Sequence, residues 1–249
     1  MYINKVHILY YVVFIILGAI IGQLINWCNE RLPEYKKVFS KDLFKKEKRN
    51  FKTNYLVIAS MVAIYVGLLY KFGINSNMLN NLSLIKYLIL TPMLLCAFVI
   101  DYRLQIIPNR LTLTMFEIGL IFTFIYGFFN INIAINMLLG MLAGGGIFLL
   151  ITLIGGMIAG KEAMGFGDVK LMGALGLYFG LVNIVTVSIV SFLIGAIISI
   201  FLLVTRIRKI SEYIPFGPFI VLACFIIIFV PFSSILTILL EIFTLGMYA

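Results

Sequence analysis

Charge is scarce in this chain. Only 12% of its 249 residues are Asp, Glu, Lys or Arg, against 63% hydrophobic residues and a mean hydropathy of +1.13. A water-soluble domain cannot cover its surface with so little polar material, so the composition excludes one and implies an integral membrane protein. Cysteine is sparse as well: Cys28, Cys96 and Cys224 stand singly with no CxxC pair, which excludes a zinc cage and a disulfide framework and leaves three free thiols. The sequence has one histidine, His7, and one tryptophan. Basic residues outnumber acidic ones by 19 to 10, but their distribution follows topology, so no nucleic-acid partner is expected and the lipid bilayer is.

What the chain has in abundance is apolar runs near the 18–20 residues a helix needs to cross the hydrocarbon core. The hydropathy pattern predicts spans at roughly 8–27, 55–72, 84–101, 111–129, 133–155, 168–181, 183–205 and 216–232. The expected fold class is therefore an all-α polytopic membrane bundle of about eight transmembrane helices. The first run is too long for a signal-peptide core and no cleavage site follows it, so it reads as a true span. The apolar tail from Ser233 to Ala249 reads as a last helix on or partly in the membrane. Residues 1–54 form a first span plus a short basic loop, and residues 55–249 a membrane-embedded core.

The loop between the first two spans holds nine lysines and arginines from Arg31 to Lys52 against Glu34, Asp42 and Glu47, which makes it cytoplasmic by the positive-inside rule. The N-terminus is then outside. Arg103, Arg110, Lys161, Lys170, Arg206, Arg208 and Lys209 follow inside, and only Lys5, Lys71 and Lys86 of the 19 basic residues fall outside. His7 falls outside too, far from the cytoplasmic ends, which excludes it as a catalytic base there.

The same topology brings two aspartates to the cytoplasmic face: Asp101 closing the third span ("FVIDYRL") and Asp168 opening the sixth ("GFGDVKL"). Ionisable residues at such depth usually face a partner, a water pocket or a reaction. Two carboxylates brought together share one proton and can divide general-base and general-acid work between them. The bland alternative, in which each caps a helix and pairs with Arg103 or Lys170, fits the spacing equally well. Gly165 and Gly167 tilt the balance by allowing unusual backbone angles and close approach of a peptide before Asp168. Gly173, Gly176 and Gly180 keep the following helix slim. A helix N-terminus favours the charged carboxylate and a C-terminus disfavours it, so Asp168 is the expected ionised partner and Asp101 the proton holder.

With these residues in view, "GKEAMGFGDVKLMGALG" resembles the second-aspartate signature of the type IV prepilin peptidases, membrane aspartic proteases of the GxGD type. "DYRLQIIPNRLTL" resembles the family's first-aspartate motif, "GQLINWCNERLP" its N-terminal motif, and "IPFGPF" its late helix entry. The resemblance implies an aspartic endopeptidase that cleaves the basic leader of type IV prepilins or pseudopilins at the cytoplasmic face of the bacterial inner membrane. Asp101 and Asp168 match the catalytic pair. Glu162, Gly165, Gly167 and Lys170 match other positions of the second motif, and Pro108 lies in the first. Asn26, Arg31 and Pro33 match the N-terminal motif, with a substrate or methyl-donor role. No cofactor or metal is implied for proteolysis, and S-adenosylmethionine would enter only if the new N-terminus is also methylated.

The chain departs from longer bacterial members in having Gly22 and Gln23 where they carry Gly-Ser, and in a short loop without paired CxxC motifs. Metal binding and methylation are the properties this puts in question, so a peptidase without methyltransferase activity is the runner-up. A proton-coupled transporter is the rival of a different class, and the near absence of acidic residues deep in the spans speaks against it. Gly165–Asp168 is expected to move so as to bring Asp168 to Asp101 when substrate binds. Gly140 and Gly144, a GxxxG pair, read as close helix packing.

Overall fold

The computed structural model describes residues 2–4, 6–36, 53–74, 77–159, 164–205 and 214–243. It is all-α apart from one tiny antiparallel hairpin, β1 (Tyr2–Ile3) with β2 (Val6–His7). Among the described residues eight helices follow: α1 (Ile8–Arg31), α2 (Tyr55–Phe72), α3 (Met78–Leu104), α4 (Asn109–Phe129), α5 (Ile131–Ala159), α6 (Phe166–Val204), α7 (Gly217–Phe229) and α8 (Phe232–Phe243). Among the described residues the first six are long and apolar enough to cross a membrane, and α7 is a shorter apolar helix. The eight predicted spans are thus six candidate spans plus α7, with the sixth and seventh joined in α6.

The chain divides into two compact units, residues 1–117 and 118–249. In the first, α1 lies close against α2 because Gly18 and Gly22 have no side chains. A Cβ on either would come within 2.8 Å of the α2 backbone at Val62 or Ile58. Asparagines start the helices here: Asn54 and Asn77 cap α2 and α3 by accepting from Leu56 N–H (3.0 Å) and Leu79 N–H (3.1 Å), each satisfying an otherwise orphaned donor. Helix α3 begins six residues before the span read from hydropathy. Asn80 and Ser83 are polar, but they are helical all the same, with Asn80 Nδ2 donating to Phe72 O at 2.6 Å. Helix α1 likewise runs past residue 27 to Arg31.

Pro92 sits inside α3. It has no N–H for the carbonyl of Leu88, four residues earlier. The Tyr65 hydroxyl of α2 donates to that carbonyl at 2.9 Å, so the gap in one helix becomes the join to its neighbour.

In the second unit, α5 and α6 are packed backbone to backbone. A Cβ on Gly140 would lie 2.5 Å from Gly176 O and 2.6 Å from Gly180 C, one on Gly144 would lie 2.5 Å from Met172 O, and one on Gly176 would run into the Gly140 carbonyl. The GxxxG pair therefore does what its spacing suggested. Gly180 has φ 71° and ψ 177° and breaks α6. Before the break, residues 173, 176 and 180 face positions 145, 140 and 136 of α5 in descending order; after it, Ile184 faces Gly144, and Phe192 stacks on Phe148 at 5.5 Å in ascending order. The two arms therefore run in opposite directions, as the separate sixth and seventh spans require. Asn136 Oδ1 accepts the N–H of Leu181 at 3.1 Å, capping the second arm at its start. Phe216 and Phe219 of the α7 entry pack against Gly195, and Pro218 occupies its first turn.

Candidate functional site

Asp101 lies in the last turn of α3, 4% exposed. The helix ends there because Gln105 adopts a left-handed conformation (φ 57°) and returns its N–H to Asp101 O at 2.9 Å. Pro108, buried just beyond, starts α4: its carbonyl accepts from Leu111 N–H at 3.0 Å and Thr112 N–H at 3.3 Å. Arg110, in the first turn of α4, donates to Tyr35 O at 2.8 Å and lies over the Tyr35 ring at 5.4 Å, which ties the turn after α1 to the start of α4.

The N-terminal motif residues gather beside this end of α3. Asn26 is buried, and its Nδ2 donates to Asn54 O at 3.3 Å. Arg31 stacks its guanidinium over the Trp27 ring at 3.9 Å. Two cavities open here. One, of about 550 Å³, is lined by Trp27, Asn29, Arg31, Pro33, Ile100 and Arg103 among others. The second, of about 370 Å³, includes Asn26, Asn29, Glu30, Asn54 and Arg103 in its wall. Asn29, Glu30 and Arg103 line both cavities and were not singled out as site residues from sequence. Asn29 was legible in principle, since three residues after Asn26 it shares that residue's helix face. Arg103 is recruited by tertiary packing, which no local pattern encodes.

In the second unit, α6 opens at Gly165, whose carbonyl accepts from Asp168 N–H at 3.0 Å. Asp168 is 4% exposed and occupies the first helical turn. Lys170 is exposed, with its ammonium 5.1 Å from the Phe166 ring. Gly165 and Gly167 permit unusual backbone angles before Asp168, and in this conformation neither takes a positive φ. Gly165 has φ −66° and ψ 136°, Gly167 lies within the helix, and the glycines with positive φ among the described residues are Gly73 and Gly180. The two glycines clear side chains from the approach to Asp168 without bending it. Glu162 lies outside the described residues. Among those residues, no group of three or more His, Cys, Asp or Glu gathers where it could hold a metal ion.

Fold and composition define the class: an all-helical, multi-pass membrane protein. Within that class, residues 88–200, a segment containing both buried aspartates, match the sequence model of the type IV leader peptidase family. The chain is 35% identical over 136 residues to the prepilin leader peptidase/N-methyltransferase of Aeromonas hydrophila, covering 55% of this chain and 46% of that protein. Its counterpart of the same name in Neisseria gonorrhoeae is 36% identical over 131 residues, 53% of this chain and 43% of the relative. That of Escherichia coli strain K12 is 31% identical over 128 residues, 51% and 55%. Over residues 88–200 these matches bear out the resemblance to the type IV leader peptidase family read from the two aspartate motifs. The chain spans about half the length of the curated relatives it matches. No solved structure matches it.

Proposed function

We propose that this chain is a prepilin leader peptidase of the bacterial cytoplasmic membrane, cutting the basic leader of type IV prepilins or pseudopilins at the cytoplasmic face with Asp101 and Asp168. The observation that carries the reading is that the segment matching the family holds both aspartates, each 4% exposed at a helix end. The positive-inside distribution supports the orientation.

The reaction requires both carboxylates to reach one peptide bond. Asp168, at the positive end of its helix, takes a proton from water, whose oxygen attacks the scissile carbonyl carbon. Asp101 gives its proton to the carbonyl oxygen, forming a tetrahedral diol. Collapse breaks the C–N bond: the leaving amine receives the proton held by Asp168, and a diol hydroxyl returns one to Asp101. No covalent enzyme intermediate forms, and the pair ends as it began. The relatives' printed names include N-methyltransferase; in this chain S-adenosylmethionine would supply a methyl group to the newly exposed N-terminal amine, held by residues lining the cavities at the end of α1.

The test is co-expression with a prepilin of the same organism. Asp101→Asn and Asp168→Asn keep shape but remove proton exchange, and each is expected to cut leader cleavage by on the order of 10²–10⁴-fold at unchanged membrane levels. Cleavage at wild-type rate in either variant sinks the dyad.

A further inference from the structure

The two cavities at the end of α1 are joined by shared walls, and the chemistry of those walls is specific. Glu30 contributes a carboxylate and Arg103 a guanidinium to both cavities. Among the described residues neither is engaged in an ion pair; the ion pair present on this face joins Lys36 to Glu34. Asn29 is 8% exposed and faces both cavities, and its Oδ1 already accepts the Cys96 thiol at 3.1 Å. That bond fixes the amide so that its NH₂ is the group left for a ligand. An anion and a cation with no ion pair among the described residues, together with an oriented amide donor on one cleft, complement a ligand that carries both charges at short range. An α-amino-acid head is such a group. The larger cavity, about 550 Å³, lies within the range of roughly 300–1,000 Å³ typical of small-molecule sites. Its walls include Ile100, next to Asp101 in the chain.

We propose that this cleft binds S-adenosylmethionine by its amino-acid head, with Arg103 on the carboxylate, Glu30 on the ammonium and the Asn29 amide beside them. The inference rests on the methylating half of the proposed function and is independent of the proteolytic half. The residues present fit the group, because the Glu30 carboxylate can accept from the ammonium of the head, and the Arg103 guanidinium and Asn29 amide can donate to its carboxylate.

Trp27, the only tryptophan in the sequence, lines the same cavity and is 5% exposed. Its fluorescence therefore reports this cleft and nothing else in the protein. The full chain is reconstituted in lipid nanodiscs and titrated with S-adenosylmethionine, with S-adenosylhomocysteine, and with adenosine, which lacks the head. A saturable change is expected with the first two. Glu30→Gln and Arg103→Gln each weaken both by on the order of tenfold, the scale of one lost charge-assisted hydrogen bond. Adenosine binds at least about tenfold more weakly than S-adenosylhomocysteine, and equally in all three proteins, which also shows that the variants are folded. Three results overturn the inference: no saturable Trp27 response in wild type, unchanged affinity in both variants, or adenosine binding as tightly as S-adenosylhomocysteine. The same preparation is assayed for leader cleavage. Cleavage without binding removes this site and leaves the peptidase; binding without cleavage does the reverse.

Discussion

Replacing Gly140 by alanine adds one methyl group to a membrane helix, a change that is ordinarily favourable. Here its Cβ would sit 2.5 Å from Gly176 O and 2.6 Å from Gly180 C, about 0.9 Å inside the 3.4 Å at which ordinary contact begins. Both obstacles are backbone, so no side-chain rotation relieves them, and α5 has to move away from α6. Within lipid, helix association rests on close packing and hydrogen bonds because the tails are as apolar as the helices. Separation by that distance costs about 2 kcal/mol, within the range measured for overpacked cores. For a chain of this size that corresponds to roughly 4–8 °C in melting temperature. Gly146 is the internal control: it lies on the same helix, and a Cβ there meets nothing within 4 Å. Gly146→Ala is then expected to be neutral, or more stable by up to about 1 kcal/mol from helix propensity. The assay is thermal unfolding in detergent, in a Cys28→Ser, Cys96→Ser background, followed by a thiol-reactive dye that then reads the exposure of Cys224, fully buried in the same unit. If Gly140→Ala melts at or above the temperature of Gly146→Ala, the backbone-to-backbone account of α5 and α6 is wrong.

The Tyr65–Leu88 hydrogen bond exists because of Pro92, so the two substitutions should be coupled. Tyr65→Phe alone costs about 1–2 kcal/mol, whereas in a Pro92→Ala background, where the helix supplies its own donor, it is close to neutral; equal costs in both backgrounds in a double-mutant cycle would refute this. Asn136→Leu strips Leu181 N–H of its acceptor and is expected to destabilise by about 1–2 kcal/mol, read by the same dye assay, and a wild-type melting curve would remove the cap. Arg110→Ala frees Tyr35 from both its carbonyl and its ring contact. Limited proteolysis of the segment after α1 should then be several-fold faster, and an unchanged rate means the tether is inert.

Much of this architecture was legible in residue order. Span α2 was read at its final boundaries because Asn54 and Gly73 bracket it sharply. The ends of α1 and α3 were missed for one reason: hydropathy measures where lipid is, while helices continue past it when polar residues such as Asn80 find partners. The reversal inside α6 was read as two spans, and Gly180 supplies it through a positive φ that a glycine in an apolar run permits. What could not be read were the partners across the chain. Nothing local marks Asn136 as the cap of a helix 45 residues on, or Glu30 and Arg103 as two walls of one cleft. At the aspartates, sequence gave their helix ends correctly. The glycines before Asp168 were read as allowing unusual backbone angles, and in this conformation that allowance is not used.

The first arm of α6, residues 166–179, has its own consequence for the surrounding lipid. Fourteen helical residues reach about 21 Å, some 9 Å short of a typical hydrocarbon core of about 30 Å. With its Gly180 end at one face, the Asp168 end stops below the other. The bilayer then has to dimple, or solvent has to follow the helix inward. If Asp168 serves the proposed hydrolysis, the water it needs reaches it through this shortfall in helix length, and leader cleavage is expected to be slower in thicker membranes.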